Sequence, residues 1–149
     1  VWLVIGSTGI HAPTSEQVAK VATLLENQPE KMREIETIGI VARRGIAALM
    51  NGDMESVGRA MSENHLLLRS IGVSCPELES LISAAAPTSL GVKLTGAGGG
   101  GCMIALTRDP KTTSEAIELA GGRTQISRLS ASGMTVDDDK KSPLWNPYE

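Results

Sequence analysis

The residues of this 149-residue chain whose types and spacing could do chemistry gather in one stretch, Lys93-Leu-Thr-Gly-Ala-Gly-Gly-Gly-Gly-Cys102. It is a glycine-saturated turn between two apolar runs, Leu90 to Leu94 and Cys102 to Leu106, each the length of one buried strand. Five of the six residues from Gly96 to Gly101 are glycine. Each gives up about 0.5–1 kcal/mol of backbone entropy relative to alanine, and a plain hairpin needs far fewer of them. The surplus predicts that something approaches this backbone closely. Without Cβ, consecutive residues can take φ of mixed sign and aim several N–H groups into one concavity, which suits a phosphate or carboxylate. The plainer reading is a tight turn packed under another element.

Two familiar phosphate loops are excluded. Gly96, Gly98 and Gly101 satisfy G-x-G-x-x-G, but that fingerprint must open a helix, and Cys102-Met-Ile-Ala-Leu106 reads as a strand. Gly121 to Arg128 also offers no carboxylate to hold a ribose. A Walker A loop needs Gly-Lys-Ser/Thr, which is absent after the run. Other chemistry is thin. Cys75 and Cys102 form no C-x-x-C, and Cys102 reads as a reduced core thiol. His11 and His65 lie far apart, which leaves a zinc site unsupported. His65 has no carboxylate partner in view and reads as a structural or partner-facing residue rather than an acid or base.

KLTGAGGGGCMIAL closely resembles the C-terminal glycine motif of the GHMP small-molecule kinases, and the form GAGGGGC is most similar to the mevalonate kinases among them. The stretch STGIHAPTSEQVAKV is similar to the family's small-residue turn leading into a helix. Ser7 stands where that turn commonly has Asp, and Ser15 where Lys or Arg is usual, so no ionic contact is expected from it. The resemblance covers roughly residues 1 to 136. It implies a glycine loop beside the phosphates and substrate at the junction of two domains. On that likeness Gly96, Ala97, Gly98, Gly99, Gly100 and Gly101 line the phosphates of ATP, and Thr8 and Thr95 lie near the substrate. The implied reaction is transfer of the γ-phosphoryl of ATP, with Mg²⁺, to the 5-hydroxyl of mevalonate.

In that family the serine-bearing phosphate loop, the Mg²⁺ ligand and the catalytic Asp and Lys belong to an N-terminal half. No stretch here resembles that loop, so no catalytic residue is assigned, and the chain alone is expected to be inactive. Alternatives are another GHMP member such as phosphomevalonate kinase, or a non-catalytic ferredoxin-like module that binds an anion or a partner. Gly99→Ala is expected to lower turnover far more than stability.

The elements that must position this loop follow from the rest of the chain. At 41% apolar residues the chain can bury a real core, and with no Phe that core must be aliphatic. A net charge of −3 gives no reason to expect nucleic acid or an anionic membrane, and no apolar run approaches a membrane span. A reducing cytoplasmic compartment fits. The chain opens inside an apolar run, Val1 to Ile5, without an initiator Met, which reads as the later part of a longer polypeptide.

That run is a buried strand ending at Gly6. Capping-box pairs at Thr14/Gln17, Ser74/Glu77 and Thr112/Glu115 predict three helix starts. Between the first two, apolar residues from Met32 to Leu49 and from Met54 to Ile71 recur at helical spacing, with Asp53 capping the second helix. Arg43 and Arg44 read as solvated surface. Leu78, Leu81, Ile82 and Ala85 should point inward from the helix after Pro76. Arg123 to Leu129 and Gly133 to Val136 alternate as two further strands. This order is an α+β layout, an antiparallel sheet packed against helices, and agrees with the ferredoxin-like C-terminal domain that the resemblance implies. The domain is expected over residues 1–136, with a charged, Pro-containing tail over 137–149. A homodimer is also among the expected partnerships.

Overall fold

The computed structural model describes residues 1–129. The strand expected at Gly133–Val136 and the tail at 137–149 lie outside them. Four strands, β1 (Trp2–Ser7), β2 (Gly91–Thr95), β3 (Cys102–Thr107) and β4 (Arg123–Arg128), form one antiparallel sheet in the order β2-β3-β1-β4. Four helices separate β1 from β2: α1 (Thr14–Asn27), α2 (Met32–Met50), α3 (Met54–Ser70) and α4 (Pro76–Ala85). A fifth, α5 (Pro110–Leu119), joins β3 to β4. That strand order, with two crossovers, is the ferredoxin-like arrangement expected from the sequence.

Strand register sorts the side chains. Val92, Ala105 and Val4 lie across one row, and Leu94, Met103 and Gly6 across the next. These rows face α4 and α5 and make the aliphatic core with Leu78, Leu81, Ile82, Ala85 and Ile117. The inward face of α4 is the one its periodicity predicts. Gly6 does not end β1, which runs on to Ser7. A Cβ at Gly6 would stand 2.9 Å from both Ile117 Cγ2 and Met103 Sδ, so its glycine lets α5 lie close to the sheet.

α3 packs along α2 and along β2. Its Gly58 meets Gly91 backbone to backbone: a Cβ on Gly91 would lie 2.5 Å from the Gly58 carbonyl carbon. The contact brings Ser62 and His65, on the following turns of α3, to the outer edge of β2. The Ser62 hydroxyl accepts the Val92 N–H at 3.1 Å, and His65 Nδ1 accepts the Leu94 N–H at 3.2 Å. A sheet edge that would otherwise present bare amides is thereby satisfied.

The capping boxes do not form. α1 starts after Pro13 and α4 after Cys75, neither with a side-chain cap. The Ser74 hydroxyl donates to Glu79 instead, at 2.6 Å. α5 is capped by Asp109, which accepts from the Thr112 amide at 3.2 Å and from its hydroxyl at 2.7 Å, so a carboxylate three residues earlier displaces Thr112 as the cap. Asp53 caps α3 as expected, accepting from the Ser56 N–H at 3.0 Å.

Candidate functional site

The glycine arch from Gly96 to Gly101 closes the β2–β3 hairpin, whose last cross-strand pair is Thr95 with Cys102. Gly96, Gly98, Gly99 and Gly101 have φ of 81°, 87°, 72° and 71°, in the left-handed region where glycine is favoured. Three neighbouring contacts fix the arch. The Gly99 N–H donates to the Val73 carbonyl at 2.8 Å, just before α4, and the Gly101 N–H donates to the Ile10 carbonyl at 2.8 Å. The Gly101 carbonyl accepts from both the Thr8 amide, at 2.9 Å, and the Thr8 hydroxyl, at 2.8 Å.

Part of the glycine surplus is therefore explained by the chain's own packing. A Cβ on Gly98 would strike Val73, with the Val73 carbonyl carbon 2.9 Å away, and one on Gly100 would lie 2.7 Å from the Ile10 oxygen. A Cβ on Gly99 would come within 2.8 Å of Gln17 Cδ and 3.1 Å of Ala12 Cβ. This corrects the expectation for Gly99→Ala: the added methyl meets the protein and a strained φ, so stability suffers as well. Gln17, expected in a capping box, packs under the arch instead, and its Oε1 is buried without a partner among the described residues.

The outer side of the arch is different. Thr95, Gly96 and Gly101 are exposed, and no atom lies within 4 Å of a Cβ placed on Gly96 or Gly101. The amides of Gly99 and Gly101 are spent on Val73 and Ile10. Those of Gly96, Ala97, Gly98 and Gly100 have no such partner among the described residues. Of these four, Gly96 is exposed and Ala97 half-buried, so their unspent N–H groups can receive an anion's oxygens, whereas Gly98 and Gly100 are buried.

The structure brings Thr8 to the arch, but its hydroxyl is already engaged. It donates to the Gly101 carbonyl and accepts the Ile10 N–H at 3.2 Å. Thr8 also lines a cleft of about 290 Å³ between the start of α4, at Glu77 and Ser80, and the end of α5, at Gly121. Lys93, two residues before Thr95 on β2, sits half-buried on the opposite face from the core, and burial holds its amine below the usual lysine range. Arg43 and Arg44 are exposed, as expected, and Arg44 pairs with Glu63. Among the described residues no group of three or more His, Cys, Asp or Glu could hold a metal ion. No helix among them is long and apolar enough to cross a membrane.

His65 is where local pattern fails. It is 3% exposed, and its Nε2 lies 2.7 Å from Glu79 Oε1, so the carboxylate partner missing from the sequence comes from another helix. Burial pushes the Glu79 carboxyl up, but hydrogen bonds from Ser74 and His65, with the Arg69 guanidinium beside them, outweigh it and hold the group below its usual 4.5. A carboxylate depressed on folding stabilises the fold fully above pH 4.5 and loses that contribution as pH falls through its lower folded value. Glu79→Gln is accordingly expected to flatten the acid side of the stability curve, which thermal unfolding between about pH 6 and pH 3 would measure.

A family model described as "GHMP kinases C terminal" matches residues 46–121. The mevalonate kinase of Pyrococcus furiosus is 39% identical over 144 residues, 91% of this chain and 43% of that protein. That of Thermococcus gammatolerans is 36% identical with the same coverage. Among solved structures, L. major mevalonate kinase in complex with R-mevalonate superposes with a TM-score of 0.76 at 31% identity, over 88% of this chain and 43% of that one. Streptococcus pneumoniae phosphomevalonate kinase, in complex with phosphomevalonate and AMPPNP, gives 0.73 at 21% identity over 86% and 39%, a likeness of fold alone. The chain spans less than half the length of the curated relatives it matches.

Proposed function

This chain belongs to the GHMP kinases, and on that premise we propose that it is the C-terminal part of a mevalonate kinase, contributing one wall of the cleft in which ATP phosphorylates the 5-hydroxyl of mevalonate. The observation that carries this reading is the pair of unspent, accessible amides at Gly96 and Ala97, held on an arch whose Gly99 and Gly101 amides are already bonded to the protein. Phosphoryl transfer depends on positioning and on stabilising charge spread over the transferred oxygens, and fixed N–H groups do both without reorganising. Gly96 to Gly101 thus receive the phosphates of MgATP. The Gly99 and Gly101 amides act from behind by holding the arch.

Thr95, exposed at the end of β2, and Thr8 lie on the substrate side. Thr8 offers little more than residual acceptor capacity and serves mainly to pin Gly101. The loop carries no carboxylate, so the Mg²⁺ that travels with ATP takes its protein ligand from an N-terminal half, which also supplies the catalytic base. The domain extends over residues 1–136, with 137–149 as a tail, in a cytoplasmic enzyme that can pair with a second copy.

The test is ATP-dependent phosphorylation by this chain alone and mixed with a separately made N-terminal half, with mevalonate and phosphomevalonate as competing acceptors. Turnover of mevalonate only in the mixture is the expected result. Turnover by the chain alone would overturn the division of labour, and preference for phosphomevalonate would overturn the substrate.

A further inference from the structure

We propose that His65 is a positioning residue for the glycine arch, acting through a part-buried relay that runs Ser74–Glu79–His65–Leu94 and ties to α4 both the strand that enters the arch and the segment that receives its Gly99 amide. The proposal rests on reading the arch as a phosphate cradle and names the device that holds it in place.

The hydrogen bonds fix the state of the ring. Nδ1 accepts the Leu94 N–H at 3.2 Å and so carries no proton. The proton of the neutral imidazole is then on Nε2, which donates to Glu79 Oε1 at 2.7 Å. The same oxygen accepts from the Ser74 hydroxyl at 2.6 Å, and Glu79 Oε2 lies 3.5 Å from Arg69 Nη1. Glu79 is thus held from three sides and in turn orients His65.

One end of the relay sits on the strand that enters the arch, and the other beside one of the three contacts that hold it. Leu94 lies two residues before Gly96, on the strand that delivers the arch. Ser74 follows Val73, whose carbonyl receives the Gly99 N–H. Glycine-rich backbone has little stiffness of its own, so the direction of its amides has to be imposed from outside. Ser62 shows that a hydroxyl is enough to satisfy an edge amide of β2. An imidazole at the next edge position does one thing a hydroxyl there does not: its second nitrogen reaches across to α4. The choice of His65 is explained by that bridge.

Two substitutions separate the bridge from simple edge capping. His65→Asn keeps an acceptor near the Leu94 amide and removes the reach to Glu79. Ser74→Ala cuts the far end and leaves His65 in place. Amide hydrogen exchange in the 149-residue chain, without substrate, reads Leu94 and Gly99 directly. Positioning predicts exchange at Gly99 about fivefold or more faster in His65→Asn, and a similar rise at Leu94 in Ser74→Ala. In the complete enzyme, His65→Asn should raise the KM for MgATP about tenfold with a smaller change in kcat.

Should His65→Asn fail to fold, Ser74→Ala alone decides the matter by the same readout. Wild-type exchange at Gly99 and Leu94 in the folded variants would overturn the relay, leaving His65 as an edge cap. Altered exchange in an enzyme that does not phosphorylate mevalonate would sink the functional reading and keep the relay. An active kinase with unaltered exchange would do the reverse.

Discussion

Gly98→Ala is expected to lower the stability of the chain by about 3 kcal/mol or more and to abolish nucleotide binding with it. Two effects add at this position. Its φ of 87° strains any residue with a Cβ, and that Cβ would be driven into the Val73 carbonyl group, which is backbone and has no rotamer by which to retreat. Gly96→Ala is the informative contrast. Its φ of 81° carries the same conformational penalty, about 1–2 kcal/mol, but no protein atom stands within 4 Å of the new methyl. Its methyl group instead enters the space a phosphate would use. Thermal unfolding and MgATP titration of the two variants in the complete enzyme separate packing from ligand approach. Gly98→Ala should lose both properties, whereas Gly96→Ala should stay folded and bind MgATP weakly. Unchanged MgATP affinity in a folded Gly96→Ala enzyme would remove the phosphate from this side of the arch.

The second large effect is expected far from the arch, where α3 crosses β2. A Cβ on Gly58 would lie 2.8 Å from Leu90 Cβ and closer still to the Leu90 carbonyl, and one on Gly91 would strike the Gly58 backbone. Neither backbone can move alone, because Ser62 and His65 bond the edge of β2 on the next turns of the same helix. Gly91→Ala should therefore push α3 off the strand and cost about 3 kcal/mol or more, seen as a drop of about 10 °C in Tm. A Tm within a degree or two of the parent would mean that α3 and β2 are not in the close contact described.

Much of this architecture is legible locally, because much of it is local. The inward residues of α4 repeat at helical spacing, and all four are buried. Asp53 caps α3 across three residues. The glycine hairpin announces itself by composition. What escaped is long-range. The Gln17 amide, expected in a local cap, is drawn to the underside of the arch by contacts that exist only after folding, whereas the Ser74 hydroxyl merely changes local partner, to Glu79 five residues on. His65 appears solitary because Glu79 is 14 residues away on another helix. The glycine surplus implies room for a ligand, but some of that room is filled by Val73, Gln17 and Ile10. Composition reports that a backbone is approached closely; it does not say by what.

The bond from the Thr8 hydroxyl to the Gly101 carbonyl joins residues 93 positions apart. The other anchor of that glycine, Ile10, is almost as distant in sequence, and Val73 reaches Gly99 from a third segment. Closing such large loops is entropically slow and is rewarded only once the intervening helices have docked. A nascent or half-assembled chain is therefore expected to have the hairpin strands without a shaped arch between them. The arch is then expected to form late in folding, so that any capacity to take an anion would gauge whether the rest of the domain has finished assembling.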